Sequence, residues 1–232
     1  MTATALEWRR VTLDLGDFAL RDVSLCLEAG EWLALVGPTG AGKTLLLEVA
    51  AGFRRPTAGT IRRGDRDVTA APPEDRRLAY VPQDDLLFPH LDVHANLAFA
   101  VPRRTREARR SDLLEVAASL GIAHLLHRRP AAISGGEAQR VAIGRALLAN
   151  PEVLLLDEST SALDGDTREI VGDFLETQRT RRSLSIVQIT HDASEAERLA
   201  DRVVTVAEGR IVTGSPAVPI PLTPAARRAR AS

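Results

Sequence analysis

The stretch Gly37-Pro38-Thr39-Gly40-Ala41-Gly42-Lys43-Thr44 decides the fold. It fits the pattern G-x-x-x-x-G-K-T, in which glycines let backbone N–H groups wrap an anion while the following helix directs its positive end at it. Lys43 is then placed to reach the β- and γ-phosphates of a nucleotide, and the Thr44 hydroxyl to bind Mg2+. A strand pattern over residues 31–36 runs into the loop. Residues 43–53 follow as a helix with Leu46, Leu47, Val49 and Ala50 on its apolar face, ended by Gly52 and Pro56. Lys43 is also the only lysine among 30 Lys and Arg residues. A compact ammonium and a planar guanidinium do different work, so its position asks for a chemical reason.

Upstream, residues 8–15 and 19–27 read as strands, with turn signals at Gly16-Asp17 and Ala29-Gly30-Glu31. Downstream, residues 57–82 return to short strands, the last being Leu78-Ala79-Tyr80-Val81 before Pro82. From about residue 84 to 150 the pattern is helical. Residues 111–120 are amphipathic and stop at Gly121, and residues 135–149 stop at Asn150-Pro151, which makes this stretch a candidate inserted lobe. Two apolar runs, 153–156 and 184–189, flank a helix over 166–178 and predict parallel strands covered on both faces. Residues 202–213 read as a hairpin turning at Glu208-Gly209. One domain over 1–214 is expected, with a disordered Pro/Ala/Arg-rich tail over 215–232.

A net charge of −1 supplies no field for nucleic acid or an anionic membrane, so no nucleic-acid partner is expected. Arginine clusters at Arg103, Arg104, Arg106, Arg109 and Arg110, and at Arg227, Arg228 and Arg230, read as solvated surface. Cys26, the single cysteine, sits in an alternating stretch and reads as a strand residue in a reducing compartment. No apolar run approaches the roughly 20 residues that span a bilayer, so the chain is expected neither to cross a membrane nor to be secreted. His90, His94, His124 and His127 have no motif around them and read as ordinary surface or packing residues.

Two further motifs carry chemistry. Val153-Leu154-Leu155-Leu156-Asp157-Glu158 is an apolar strand ending in two carboxylates, at the edge where open α/β sheets bind ligands. Asp157 is placed to hold Mg2+ through water, and Glu158 to orient and polarise an attacking water. Ile133-Ser134-Gly135-Gly136-Glu137-Ala138-Gln139-Arg140 has the S-x-x-E spacing of a capping box. Its two glycines are poor helix formers and suggest a close approach to an anion-welcoming helix start.

That segment resembles the signature motif of ATP-binding-cassette (ABC) ATPases, and the resemblance then covers nearly the whole chain. It implies a P-loop NTPase (RecA-like) α/β core with an N-terminal antiparallel β subdomain and an inserted α-helical subdomain. It also implies that Ser134, Gly135, Gly136 and Glu137 meet the γ-phosphate of ATP held by an opposite subunit. Gln83 matches the glutamine that senses Mg2+ and the coupling interface, Ser161-Ala162-Leu163-Asp164 the loop that crosses the dimer, and His191 the switch histidine on the γ-phosphate. There are departures. Glu137 replaces the commoner glutamine and brings a negative charge towards the partner's phosphates unless it turns away to cap the helix. Ser159 replaces a proline after the catalytic glutamate. The adenine-stacking position falls on Phe18 or on the non-aromatic Leu15.

The resemblance implies an ATPase subunit of a membrane importer, using ATP and Mg2+ and working as an ATP-dependent homodimer. It would sit at the cytoplasmic face of the membrane against a separate permease, itself supplied by a periplasmic or extracellular solute-binding protein. The permease is expected to dock near residues 83–99, where Leu86-Leu87-Phe88-Pro89-His90-Leu91 offers apolar side chains. The phosphate loop with Leu45-Leu46-Leu47-Glu48, Val81-Pro82-Gln83-Asp84 and Leu120-Gly121-Ile122-Ala123-His124-Leu125-Leu126 is most similar to molybdate/tungstate transporter ATPases, followed by the sulfate, iron and polyamine group. No regulatory domain is expected after the core. The rival readings are a soluble non-transport ABC ATPase and a degenerate subunit that binds ATP without turnover.

Overall fold

The computed structural model describes residues 3–84, 86–101 and 106–212, the last of these with side chains from Arg110 onward. Strands β1 (Thr4–Asp14) and β2 (Ala19–Glu28) precede β3 (Trp32–Val36), which feeds the phosphate loop and helix α1 (Lys43–Ala51). Strands β4 (Ala58–Arg63), β5 (Arg66–Asp67) and β6 (Leu78–Val81) follow, then helices α2 (Val93–Phe99), α3 (Arg106–Ser119) and α4 (Gly135–Leu148). The chain returns as β7 (Val153–Asp157), α5 (Gly165–Arg182), β8 (Ser185–Ile189), α6 (Ala193–Leu199) and the hairpin β9 (Arg202–Ala207) and β10 (Arg210–Ile211).

Among the described residues the strands form an antiparallel sheet, β2-β1-β4-β5, and a larger sheet, β10-β9-β3-β8-β7-β6. The larger sheet is parallel from β9 to β6, with β10 antiparallel at the edge. This is the α/β architecture expected from the sequence, with an antiparallel sheet drawn from strands on either side of β3 and helices inserted between β6 and β7.

Strand alternation gives the central sheet two apolar faces. Leu33, Leu35, Leu155, Val187 and Ile189 share a core with α1 and the small sheet. Trp32, Ala34, Leu154, Leu156 and Ile186 share the other with α2, α3 and α4. The three helices pack closely around Gly144, where an added Cβ would lie 3.1 Å from Leu120 and Leu97 and 3.2 Å from Val116.

Several boundaries differ from the sequence expectation. β1 begins at Thr4 because Leu6 is fully buried and already paired with Leu27. α3 begins before residue 111, and α5 runs to Arg182, where Ser183 in the left-handed conformation stops it. Cys26 lies half-buried on β2 with its thiol 3.7 Å from Thr4 Oγ1. His90, His94, His124, His127 and Arg110 are exposed. Arg103, Arg104, the side chains of Arg106 and Arg109, and the tail over 215–232 lie outside the described residues. Among those described, no helix is long and apolar enough to cross a membrane.

Arg76 anchors the end of α1. Its guanidinium is 2% exposed and donates to the carbonyls of Val49 and Ala50, both at 2.8 Å, and to those of Ala71 at 2.9 Å and Thr69 at 3.0 Å. Burial lowers its pKa, with Asp67 opposing that shift. A cation at a helix C-terminus is favourable, and here it also satisfies carbonyls the helix leaves unpaired. Arg76→Gln is expected to cost about 3 kcal/mol, because hydrogen bonds from a charged donor are each worth about 1.5–3 kcal/mol. Urea unfolding of the two proteins measures it.

Candidate functional site

The phosphate loop is built from backbone conformations that side chains resist. Gly37 has φ 144°, and a Cβ there would overlap the Val206 carbonyl of β9. Gly42, with φ 100°, is the N-cap of α1, and its missing Cβ would sit 2.9 Å from the Phe18 and Leu20 side chains. Pro38, Thr39 and Gly40 are exposed, whereas Ala41 is buried and its carbonyl accepts from Gly209 N–H at 3.0 Å. The β9–β10 turn therefore closes on the loop. Lys43 is 4% exposed, and its Nζ donates to the carbonyls of Gly37 at 2.8 Å and Pro38 at 3.0 Å. The ammonium is thus held inside the loop by acceptors that an anion can replace.

Thr44 Oγ1 donates to Asp157 Oδ1 at 3.0 Å, and the Tyr80 hydroxyl donates to Asp157 Oδ2 at 2.8 Å. Asp157 is 3% exposed. Burial raises its pKa, and the two hydroxyls oppose that by bonding to the charged form. The Tyr80 phenol is pushed well above its ordinary range, first by burial and then by the neighbouring carboxylate.

One residue along, Glu158 has φ 50° and donates its N–H to the Ile189 carbonyl at 3.2 Å. This left-handed turn directs its carboxylate away from the strand line, where Oε1 lies 2.5 Å from His191 Nε2. Nε2 carries the proton in such a pair. Because β7 and β8 are neighbouring parallel strands, their C-terminal ends bring the two side chains together. A cavity of about 450 Å³ opens beside them, lined also by Thr160, Ser161, Arg168 and Glu195. A carboxylate hydrogen-bonded to an imidazole at the rim of a cavity can orient a water and present a proton to an anion.

Gln83 is placed differently. It is exposed and lines a second cavity of about 510 Å³ with Leu86, Leu87, Ser134, Gly135 and Ala162. The capping box is present: Glu137 N–H donates to Ser134 Oγ at 3.3 Å, and Glu137 Oε2 accepts from Ser134 N–H at 2.7 Å and from its hydroxyl at 2.9 Å. Glu137 thus turns back on its own helix start. A Cβ on Gly136 would lie 3.3 Å from Leu163 Cδ2 and 3.4 Å from the Ala162 carbonyl, whereas one on Gly135 would meet open space. The Ser161-to-Asp164 turn therefore packs against the start of α4. Ser161 and Ala162 are exposed, Leu163 is buried, and Asp164 caps α5 by accepting from Thr167 N–H at 2.9 Å.

Ser159 is buried, and its hydroxyl has no hydrogen-bond partner among the described residues. Phe18 packs on Gly42 while Leu15 is 45% exposed. Near the expected docking segment the exposed apolar side chains are Leu86 and Phe99, each 68% exposed; Leu87 and Phe88 are half-buried, so the expected exposed run is only partly exposed. Phe88 packs on Phe99 at 4.6 Å between ring centroids and beneath Arg145 at 5.2 Å. Residues the sequence reading passed over include the Tyr80 hydroxyl, Arg168 and Asp192. Tyrosine at the penultimate position of a buried strand was the available signal for the first, and an Asp directly after His191 for the last.

The family description "ABC transporter" matches residues 20–161. The molybdate/tungstate import ATP-binding protein WtpC of Archaeoglobus fulgidus is 45% identical over 199 residues, 85% of this chain and 82% of that protein. The protein of the same name from Pyrococcus abyssi is 44% identical over 209 residues, 89% of this chain and 61% of that protein. An Fe(3+) ions import ATP-binding protein of Rhodococcus jostii is 45% identical over 204 residues, 84% of this chain and 57% of that protein. The chain thus spans about three fifths of the length of the Pyrococcus and Rhodococcus relatives. A dimeric ATP-binding cassette solved in a post-hydrolysis state with ADP and phosphate superimposes with a TM-score of 0.80 at 28% identity, covering 89% of this chain and 96% of that one. The chain belongs to the ABC transporter family of ATP-binding cassettes.

Asp157→Asn keeps an acceptor for Thr44 but removes a buried charge, so it is expected to raise the melting midpoint, by roughly 2–4 °C for each kcal/mol gained. A lower midpoint in differential scanning calorimetry would contradict this. Glu137, Asp164 and Asp192 have lowered pKa values because backbone N–H groups bond their charged forms. Their folded pKa values lie below the unfolded ones, so the stability they add is complete above about pH 5 and is lost as pH falls through the unfolded and then the folded values. Melting midpoints recorded between about pH 5 and pH 2 should fall less steeply in Asp164→Asn than in the wild type.

Proposed function

We propose that the chain is the ATP-hydrolysing subunit of a membrane importer, working as an ATP-dependent homodimer at the cytoplasmic face of the membrane against a separate permease. The observation that carries this is the joint placement, at the end of the parallel strands, of the Thr44–Asp157 bond and the Glu158–His191 pair. A single catalytic domain over 1–214 with a helical lobe at about 84–150 accounts for the layout.

Phosphoryl transfer to water is mainly positioning and charge stabilisation. Residues 37–44 wrap the phosphates, with Lys43 exchanging its loop carbonyls for phosphate oxygens. Glu158 orients the water and His191 holds the γ-phosphate. The hydroxyl of Thr44 and the buried carboxylate of Asp157 are hard oxygen donors suited to Mg2+, and Gln83 is assigned to sense the same ion. Bound Mg2+ would neutralise charge on the phosphate oxygens. Ser134, Gly135, Gly136 and Glu137 act in trans on the partner's ATP, and Ser161, Ala162, Leu163 and Asp164 cross the dimer.

The permease docks on the helical lobe around Leu86 and Phe99, and a periplasmic or extracellular binding protein delivers the solute to it. A molybdate/tungstate-type oxyanion is the favoured solute; the Rhodococcus similarity keeps iron import as the second reading. Uptake of labelled molybdate by vesicles carrying the whole transporter, against iron(III), decides between them.

The purified chain should hydrolyse ATP in the presence of Mg2+, and Glu158→Gln should lower kcat by about 10²–10⁴-fold while ATP still binds. ATP binding without turnover in the wild type would establish the degenerate reading instead. Lys43→Ala should abolish ATP-dependent dimers; dimers formed with wild-type affinity would overturn the proposed role of the loop.

A further inference from the structure

The two segments that carry Glu158 and His191 are braced by one side chain with no role assigned so far. Arg168 lies in the first turn of α5, with its side chain 24% exposed, and lines the cavity beside the Glu158–His191 pair. Its Nε donates to the Thr160 carbonyl at 3.3 Å and its Nη2 to the Leu163 carbonyl at 2.8 Å, both on the turn that follows Glu158. Its Nη1 donates to Asp192 Oδ2 at 2.8 Å, on the residue that follows His191. The other Asp192 oxygen accepts from the N–H groups of Ser194 and Glu195 at 2.9 and 3.1 Å, so the brace reaches the start of α6.

A second tie runs beneath it. Glu195 is 5% exposed, and its Oε2 accepts from Thr190 Oγ1 at 2.6 Å and from Thr160 Oγ1 at 3.3 Å. Gln188 Nε2 donates to Thr160 Oγ1 at 3.3 Å, and Gln188 Oε1 accepts from the Trp32 indole at 3.0 Å. This buried network fixes Thr160 and Thr190 to the sheet. Beyond them, the Glu158 N–H is held on the Ile189 carbonyl, and His191 is carried by the chain after β8. The guanidinium adds a link on the far side of the pair, from the turn after Glu158 to the residue after His191.

We infer that Arg168 is a positioning residue for hydrolysis: its planar fork holds the turn after Glu158 at a set distance from the residue after His191, and so sets the 2.5 Å contact between the two. The inference rests on the proposed ATPase reading for its kinetic consequence, but the geometry it describes can be tested without turnover. A fork with fixed donor directions suits three acceptors on separate segments, and a lysine ammonium does not reproduce it. Displacements of about 1 Å in a reacting constellation cost on the order of 10²-fold in rate.

The test uses the full chain and four variants: Arg168→Ala, Arg168→Lys, His191→Ala and Arg168→Ala/His191→Ala. Arg168→Ala should lower kcat about 10–100-fold while the KM for ATP stays within about twofold. In the His191→Ala background the same change should lower the residual rate by less than about twofold, because Arg168 acts through the pair. Nitrogen-15 spectra of the imidazole rings, with the His191 signals identified by their loss in His191→Ala, should show His191 shifted in Arg168→Ala while the other histidines hold. Arg168→Lys keeps the charge beside Asp192 and should show the same changes, smaller; it carries the test if the alanine variant does not fold. An unmoved His191 ring, a kcat within twofold of wild type, or losses that multiply fully in the double variant would each overturn the inference. Absence of turnover in the wild type would sink the ATPase reading alone, and the ring spectra would then decide on Arg168.

Discussion

The carboxylate of Asp157 is withdrawn from water at the end of β7, and hydroxyls from two other stretches of chain meet it there, Thr44 at 3.0 Å and Tyr80 at 2.8 Å. A buried carboxylate bears a desolvation cost that hydrogen bonds offset only when the donors are correctly placed. That requirement fixes where α1 begins, since Thr44 is its second residue, and where β6 lies, since Tyr80 must reach across from the neighbouring strand. The phosphate loop hangs from β3 on one side and from this bond on the other. Under the proposed function the remaining charge on Asp157 has a use, which accounts for a site that is locally less stable than an apolar one would be.

The central sheet transmits that placement because its two faces belong to different cores. Residues alternating along β3 send Leu33 and Leu35 towards α1 and the small sheet, and Trp32 and Ala34 towards α2, α3 and α4. The helical lobe is therefore packed directly on the strands that end at Asp157, Glu158 and His191. Gly136, held close to Leu163 and Ala162, brings the start of α4 against the turn after Glu158. That turn is thus held by Arg168, which bonds the carbonyls of Thr160 and Leu163, and by the lobe, which packs on Ala162 and Leu163.

What the sequence discloses divides along a physical line. The loop, the carboxylate-ended strand and the capping box depend on neighbours within a few residues, and each is found where expected. Of the strands buried on both faces, β7 announced itself as the unbroken apolar run 153–156, whereas β8 is buried throughout although Ser185 and Gln188 interrupt its apolar residues. Helices α2 and α6 span only seven residues each, too short for a 3.6-residue period to repeat convincingly, and they are held by caps from Asp92 and Asp192. The Tyr80 hydroxyl on Asp157 and the bracing by Arg168 join residues that meet only after folding, and local pattern carries no trace of such contacts. Gln83 is the instructive intermediate case: its motif was visible, yet it lines the cavity with Ser134 and Ala162, and its assignment to the ion rests on the family resemblance.

Glu137 shows how a departure in one residue is absorbed by local chemistry. A carboxylate at the start of a helix is favourable electrostatically, and here it also takes the N–H and hydroxyl of Ser134, which holds its pKa down. The charge that looked unfavourable for an approaching phosphate is partly neutralised by its own helix. The same contact has a second side. A hydroxyl that donates to Glu137 cannot donate that proton elsewhere, so under the proposed function Ser134 must turn from Glu137 before it can donate to a phosphate of the partner's ATP, while the amides of Gly135 and Gly136 need no such exchange. Glutamine at this position would cap the helix with a neutral oxygen and release the hydroxyl more readily, since bonds to a charged acceptor are roughly twice as strong. Under the proposed function the replacement therefore shifts the work of anion recognition from the serine side chain to the glycine backbone, where Gly135 faces open space.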